Sequence, residues 1–241
     1  MKIEPPLVEG IFLQRDNRFR ATVEVSGQVT WAHVPNSGRL HELFSPGRRV
    51  LLSPKAAPYR ITDYDLVMVD LGDRLVSMDA RLPVRLLHEA VAAGRLEPFA
   101  GYTTIQPEVT FGKSRLDFRL DGPTGICYVE VKSVTLVEKG VALFPDAPTT
   151  RGQRHLRELI EVVRQGHRAA VVFVIQRDDA QYFAPHDQAD PEFGRLLREA
   201  ATAGVNIHAF GCRVTREEIS IRWPVPISLV THCVIPDHTA A

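Results

Sequence analysis

The sequence predicts a mixed α/β protein in two parts, an OB-fold-like β-barrel over residues 1–78 and an α/β domain over residues 79–241. Three observations carry that prediction. Short β-rich segments separated by Gly, Pro, Ser and Asn crowd the first 78 residues, the pattern of a small barrel. From Asp79 onward helical periodicities alternate with strand-like runs. Ala169 to Ile175 is continuously apolar, as in a strand buried on both faces.

In order along the chain, Leu7 to Leu13, Phe19 to Val25 and Val29 to Val34 read as strands, with Ser26-Gly27 as a tight turn. Pro35 to Leu43 reads as a loop entering one helical turn, closed by Ser45, Pro46 and Gly47. Arg48 to Leu52, Leu66 to Val69 and Leu75 to Ser77 supply further strands, and nothing here fixes strand order or closure. Leu82 to Gly94 reads as a helix with Pro83 in its first turn. Strands follow at Glu108–Phe111, Arg115–Leu120 and Ile126–Lys132, the last two joined by a Gly/Pro turn at Asp121–Gly125. Leu156, Leu159, Ile160 and Val163 mark a helix from Thr150 to Gln165 with Gly166 as its stop. A helix at Pro191–Ala203 and a strand at Val205–Phe210 complete the domain, and Pro224 to Ala241 reads as weakly patterned and loose at its end.

Composition excludes more than it selects. Lys+Arg and Asp+Glu each number 29, so any affinity for nucleic acid has to come from local patches. Cys127, Cys212 and Cys233 are odd in number and lack C-x-x-C spacing, which argues against a disulfide framework or structural zinc and fits a reducing compartment. No apolar run approaches the about 18 residues of a membrane span, and Met1 to Pro6 lacks a signal peptide's apolar segment. The expectation is a soluble cytoplasmic protein without a membrane partner, and the sequence leaves a homodimer open.

The chemistry gathers between Ser114 and Thr135. If the two strands flanking the Asp121–Gly125 turn pair, Asp117, Glu130 and Lys132 converge from a D-x12-E-x-K spacing. Two hard carboxylates suit Mg²⁺ or Mn²⁺, with the Val131 carbonyl as a further ligand. Such a cation activates water and neutralises a phosphate, and Lys132 is placed to orient that water. A Glu-x-Lys pair is also common on solvated strand faces. Here the acid on the partner strand, the central position of both strands and the cationic helix after them argue for a site.

That helix carries Gln153, Arg157 and Arg164 along one flank of its apolar stripe, with Arg151 and Arg154 elsewhere on its exposed face. The first flank is expected to face the carboxylates and bind phosphate. Glu89 is a further carboxylate, although its place on the first helix points away from Leu87, Ala90 and Val91 toward solvent. In the barrel, Arg15, Arg18, Arg20, Arg39, Arg48 and Arg49 accompany Phe12, Phe19 and Trp31, a mixture that OB-folds use to stack bases and track phosphates. Phe19 and Trp31 suit the core as well, and His33 reads as structural.

These residues resemble the sugar fermentation stimulation protein A family of bacteria and archaea. The resemblance runs from Pro6 to Pro226 through the blocks His33–Gly38, Ser114–Phe118, Cys127–Thr135, Phe144–Ala147 and Arg151–Leu159. It implies an N-terminal OB-fold domain, a second domain similar to PD-(D/E)xK restriction-endonuclease-like nucleases, and a DNA-binding role. By that resemblance Asp117, Glu130 and Lys132 match the nuclease triad, Glu89 the first-helix acid that shares the metal, and Gln153 the polar residue on the following helix. Thr150 departs from the family's usual Glu, and no triad member is lost. Arg18, Phe19, Asn36, Arg39, Arg151 and Arg157 are the candidate nucleic-acid contacts.

Three functions fit these observations: a Mg²⁺- or Mn²⁺-dependent nuclease, a non-catalytic DNA-binding regulator affecting maltose metabolism, and a sugar-binding protein. The last rests on the family's maltose phenotype and on the use of OB-folds for oligosaccharides elsewhere.

Overall fold

The computed structural model describes residues 1–3, 7–55 and 57–230. Cys233 and the chain beyond Val230 lie outside them. Five strands close the barrel: β1 (Val8–Asn17), β2 (Arg20–Val25), β3 (Gln28–His33), β4 (Arg49–Pro54) and β5 (Tyr64–Asp70). Neighbours pair antiparallel as β1–β2, β2–β3, β4–β5 and β1–β4, and a parallel β3–β5 pairing completes the ring. This is the OB order that the sequence left open. β6 (Leu75–Ser77) adds to β5 outside the ring.

Alternation drives the closure. β2 turns Ala21, Val23 and Val25 inward to Phe12, Val50, Leu52 and Leu66, which removes about 1.5–3 kcal/mol of apolar exposure for each large side chain. Ser26 and Gly27 both have positive φ, 52° and 77°, the conformation that matches a two-residue hairpin to strand twist. The stretch expected to enter a helical turn forms non-helical turns at 41–43 instead, and buries Leu40 and Leu43 as a plug.

The second part is built on a six-stranded sheet. Its elements are α1 (Leu82–Ala92), β7 (Thr104–Phe111), β8 (Ser114–Gly122), β9 (Gly125–Val134), β10 (Val137–Glu138), β11 (Val141–Phe144), α2 (Thr150–Arg164), β12 (Arg168–Ile175), β13 (Tyr182–Pro185), α3 (Pro191–Thr202), β14 (Asn206–Val214) and β15 (Ile219–Pro224). The sheet order is β15-β14-β12-β9-β8-β7, with β12 parallel to β9 and β14. From Ala169 to Ile175, β12 is buried at every position, as its unbroken apolar run requires. α1 covers one face through Leu86, Leu87, Ala90 and Val91, against Val129 and Val131. α2 and α3 cover the other, around Leu156, Leu159, Phe173 and Phe193. The small sheet β10-β11-β13 and the strand β15 had no counterpart among the expected elements. Up to Val230 the chain's end is held, with Ser228 N–H donating to the Phe183 carbonyl at 2.9 Å. No helix among the described residues is long and apolar enough to cross a membrane.

Caps fix where the site's helix begins. Thr149 accepts from Gly152 N–H at 3.0 Å at the start of α2, and Asp190 accepts from Phe193 N–H at 2.9 Å at the start of α3. The barrel is joined to the sheet by buried polar contacts. Gln176, fully buried at the end of β12, accepts from Ser77 Oγ at 2.9 Å and donates to Ser133 Oγ at 2.9 Å and to the Asp79 carbonyl at 3.2 Å. Gln176→Ala removes three hydrogen bonds and strands buried Ser77, so it is expected to cost about 2–3 kcal/mol in urea unfolding, whereas Gln165→Ala on the surface of α2 stays within about 0.5 kcal/mol.

Candidate active site

β9 alternates cleanly. Cys127, Val129 and Val131 point into the α1 side of the sheet, and Tyr128, Glu130 and Lys132 point toward α2. The ladder between β8 and β9 runs from Gly122 opposite Gly125 to Phe118 opposite Val129. At the next position the Asp117 side chain takes over: its Oδ2 accepts from Val131 N–H at 2.7 Å. The hairpin therefore brings Asp117, Glu130 and Lys132 together, as the strand alternation implied.

Glu130 and Lys132 are both buried, and Lys132 Nζ donates to Glu130 Oε1 at 2.7 Å. The same oxygen meets His155 Nδ1, from α2, in a short contact, and Lys132 Nζ lies 3.4 Å from that ring nitrogen. Arg151 Nε approaches the other ring nitrogen of His155 at 3.4 Å. Burial by itself raises the Glu130 carboxyl, but Lys132 and His155 outweigh it and hold the group below the ordinary carboxylate value. Asp117 behaves oppositely. Burial, then repulsion from Glu130, push its carboxyl up to about 6 against the Val131 hydrogen bond and the charges of Lys132 and Arg151. The second oxygen of Glu130, Oε2, is buried with no hydrogen-bond partner among the described residues.

These features fit a hard divalent cation. A buried carboxylate oxygen lacks a partner, and the adjacent Asp117 carboxyl is raised by burial and then by the Glu130 charge, which a cation would offset. Among the described residues no three His, Cys, Asp or Glu side chains converge as a preformed cage. The protein offers two carboxylates and the Val131 carbonyl, which suits an ion that keeps several waters, as Mg²⁺ does. Cys127 and Cys212 play no part, since burial raises their thiols to about 11 and about 12.

Three expected members fall elsewhere. Glu89 sits on α1, across the sheet from the triad, and pairs with the Met1 ammonium at 3.2 Å and Arg95 at 3.2 Å. Gln153 turns to α3 and donates to Asp190 at 3.0 Å and 3.1 Å. Arg157 turns the same way and meets Glu192 at 2.6 Å. The flank of α2 that faces the carboxylates is instead Arg151 and His155, with Arg154 donating to Ser114 Oγ at 3.0 Å. His155 had not been singled out. Its signal was its place one helical turn before Leu159, on the buried side with Gly152 and Val162.

A cleft of about 330 Å³ opens over Lys132 between the barrel and the sheet. Arg18 and Asn36–Gly38 line it from the barrel, and Val131–Leu136 and Leu143–Thr149 from the sheet side. Asn36 is buried and acts as a strut: it donates to the Met78 carbonyl at 3.1 Å and accepts from Gly38 N–H at 2.9 Å. The Arg39 side chain is exposed, and its main-chain N–H donates to Asp146 at 2.6 Å across the cleft. Arg15 spans the rim, donating to the carbonyls of Arg18 at 2.6 Å, Asn36 at 3.1 Å, Gly38 at 2.7 Å and Arg39 at 2.6 Å. Arg18 and Phe19 are thus presented at its edge by a tied loop.

Barrel and sheet together define a protein with an N-terminal OB domain followed by a restriction-endonuclease-like α/β domain. The family models agree: "SfsA N-terminal OB domain" matches residues 13–78 and "Sugar fermentation stimulation protein RE domain" matches residues 81–218. The chain belongs to the sugar fermentation stimulation protein family. It is 47% identical over 230 residues to the "Sugar fermentation stimulation protein homolog" of Thermoanaerobacter sp. (strain X514), covering 95% of this chain and 100% of that protein. A homolog from Moorella thermoacetica is 48% identical over 225 residues, 92% of this chain and 97% of the relative. Among solved structures, Pyrococcus furiosus SfsA in complex with Ca²⁺ superposes with a TM-score of 0.86 at 35% identity, covering 95% of this chain and 98% of that one.

Because Lys132 neutralises a buried carboxylate, Lys132→Met removes the ammonium and leaves Glu130 with His155 as its remaining side-chain partner. The variant is expected to lose about 3–5 kcal/mol in urea unfolding with chelator present. Millimolar Mg²⁺ is expected to restore more stability to it than to the unaltered protein, because the ammonium no longer competes for Glu130.

Proposed function

We propose that the chain is a DNA-binding enzyme that cleaves phosphodiesters with Mg²⁺ or Mn²⁺ at Asp117, Glu130 and Lys132. The observation that supports it most is the convergence of these three groups beside the cleft, with Glu130 Oε2 left without a partner. Asp117, Glu130 and the Val131 carbonyl would hold the cation. Bound there, it would supply an activated water and charge neutralisation at the phosphate. The solved relative's complex with Ca²⁺, another cation that takes oxygen ligands, is in keeping with this reading.

The remaining steps belong to the chain's own groups. Lys132 holds a water or a phosphate oxygen by its ammonium, and His155 on Glu130 Oε1 fixes the carboxylate's orientation. Arg151 stands on the exposed side of His155, where a phosphate is within reach of its guanidinium. Arg18, at the barrel edge of the cleft, takes the backbone farther along. Arg157, engaged by Glu192, is given no such role.

A second reading keeps the DNA binding and leaves the site unused. It is favoured by the pairing of Glu130 Oε1 with both Lys132 and His155, which stabilises the buried carboxylate without a metal.

Incubation with duplex, single-stranded and branched DNA separates the two. The enzyme reading expects cleavage that requires Mg²⁺ or Mn²⁺ and falls by about 100-fold or more in Asp117→Ala and Lys132→Ala, while binding persists. Binding that weakens steeply with salt and ignores chelator, with no cleavage of any of these DNAs, selects the regulator.

A further inference from the structure

The large hydrophobic side chains exposed on this protein are concentrated on the barrel. Among the described residues Phe19 (49% exposed), Val29 (66%), Trp31 (44%), Tyr59 (98%) and Ile61 (70%) lie there, and Val230 alone lies elsewhere. Their positions are ordered. Strand alternation puts Val29, Trp31 and His33 on the outer face of β3, while Thr30 and Ala32 turn the other way. Arg20, on the neighbouring β2, lays its guanidinium 4.5 Å from the centre of the Trp31 ring. Phe19, in the β1–β2 turn, stacks near His33 with ring centres 6.4 Å apart. Tyr59 and Ile61 stand on the β4–β5 connection.

Exposed rings gathered on one strand face and its adjoining turn mark an interaction surface. The chemistry is aromatic and cationic together, not a plain apolar stripe. Exposed rings accept any base, and the arginine over one of them, whose charge Asp16 shares, adds a cation–π contact. Asp16, beside the patch, is taken up by Arg20 at 3.2 Å and Thr22 at 3.0 Å, and Asp63 accepts from Thr30. The patch is also continuous with the cleft. Arg18, the residue before Phe19, lines the cavity that contains Lys132, and Arg15 fixes the Arg18 carbonyl at 2.6 Å.

A rigid duplex cannot offer its base faces to such rings, because they are stacked on one another. We propose that the outer β2–β3 face and the β1–β2 turn form a stacking platform for single-stranded nucleic acid. Trp31, His33 and Phe19 take the bases, and the strand leads past Arg18 into the cleft at Lys132. This deepens the nuclease reading only at the cleft: the substrate class becomes DNA with an unpaired segment beside its duplex.

The experiment uses the full chain in chelator, so that no cleavage intervenes. Fluorescence anisotropy is read with an oligothymidine, a blunt duplex and the same duplex carrying an oligothymidine overhang, all at one salt concentration. The unaltered protein is expected to prefer the overhang to the blunt duplex. In the Phe19→Ala/Trp31→Ala double variant, affinity for oligothymidine is expected to fall on the order of tenfold or more, with the blunt duplex changed by less than about twofold. Trp31→Phe, which keeps a ring, should retain most of the affinity, and unchanged thermal unfolding of each variant excludes loss of the fold. Equal losses on all three DNAs, or no loss on oligothymidine, overturn the platform and leave the patch to a protein partner. A cleavage assay with Mn²⁺ keeps the two readings apart. An intact single-strand preference without cleavage removes the nuclease and leaves the platform, and cleavage without that preference does the reverse.

Discussion

A carboxylate and an ammonium face each other inside a six-stranded sheet, and much of the second domain is arranged to make that tolerable. Two charges withdrawn from water cost several kcal/mol each unless they are paired and hydrogen-bonded. β9 supplies both from one strand face, Glu130 and Lys132, so the pair is set by local alternation and needs no long-range register. α2 then adds His155, and the capped start of the helix at Thr149 sets which of its residues reaches the pair. The pairing is incomplete at one oxygen, Glu130 Oε2. That deficit, beside an Asp117 carboxyl raised by burial and then by the Glu130 charge, separates this cluster from an ordinary structural ion pair.

The barrel depends on the sheet domain for its placement. Arg15 gathers five main-chain carbonyls, those of Asn17, Arg18, Asn36, Gly38 and Arg39, with one guanidinium and so turns two loops, 17–18 and 36–39, into a single rim. Asp146, from the loop before α2, holds the main-chain N–H groups of Arg39 at 2.6 Å and Leu40 at 3.4 Å. A carboxylate in a nest of backbone N–H groups is a strong, directional anchor. It fixes one wall of the cleft relative to the other.

The local features of this fold were legible in the sequence. The strands of the barrel, the Ser26-Gly27 hairpin, the three helices and the buried run of β12 all follow from periodicity, turn chemistry and caps. The trio Asp117, Glu130 and Lys132 was legible too, because strand alternation and one hairpin suffice to bring them together. What failed was the facing of α2. A helical wheel states which residues share a flank and not which neighbour that flank meets. Gln153 and Arg157 share a flank as expected, but the carboxylates of Asp190 and Glu192 at the start of α3 engage them. His155 went unnoticed because a histidine in an apolar stripe looks like core, which it also is. β10, β11 and β13 were missed because strands of two to four residues carry too few alternations to register, and their pairing joins segments far apart in sequence. Barrel closure, through the parallel β3–β5 contact, is nonlocal for the same reason.

Gln176, itself fully buried, joins Ser77, Asp79 and Ser133, and Asn36 and Asp146 add two further stitches nearby. A seam sewn at so many points does not gape. Many enzymes that act on long polymers swing two lobes apart to admit them, and the lobes then bear the cost of closing. Here the jaw is set in advance, so under the proposed function a polymer entering the cleft would have to do the bending itself. Selection between guests would then fall on their stiffness: a limp chain conforms at little cost, and a stiff one is turned away before any base or charge is read.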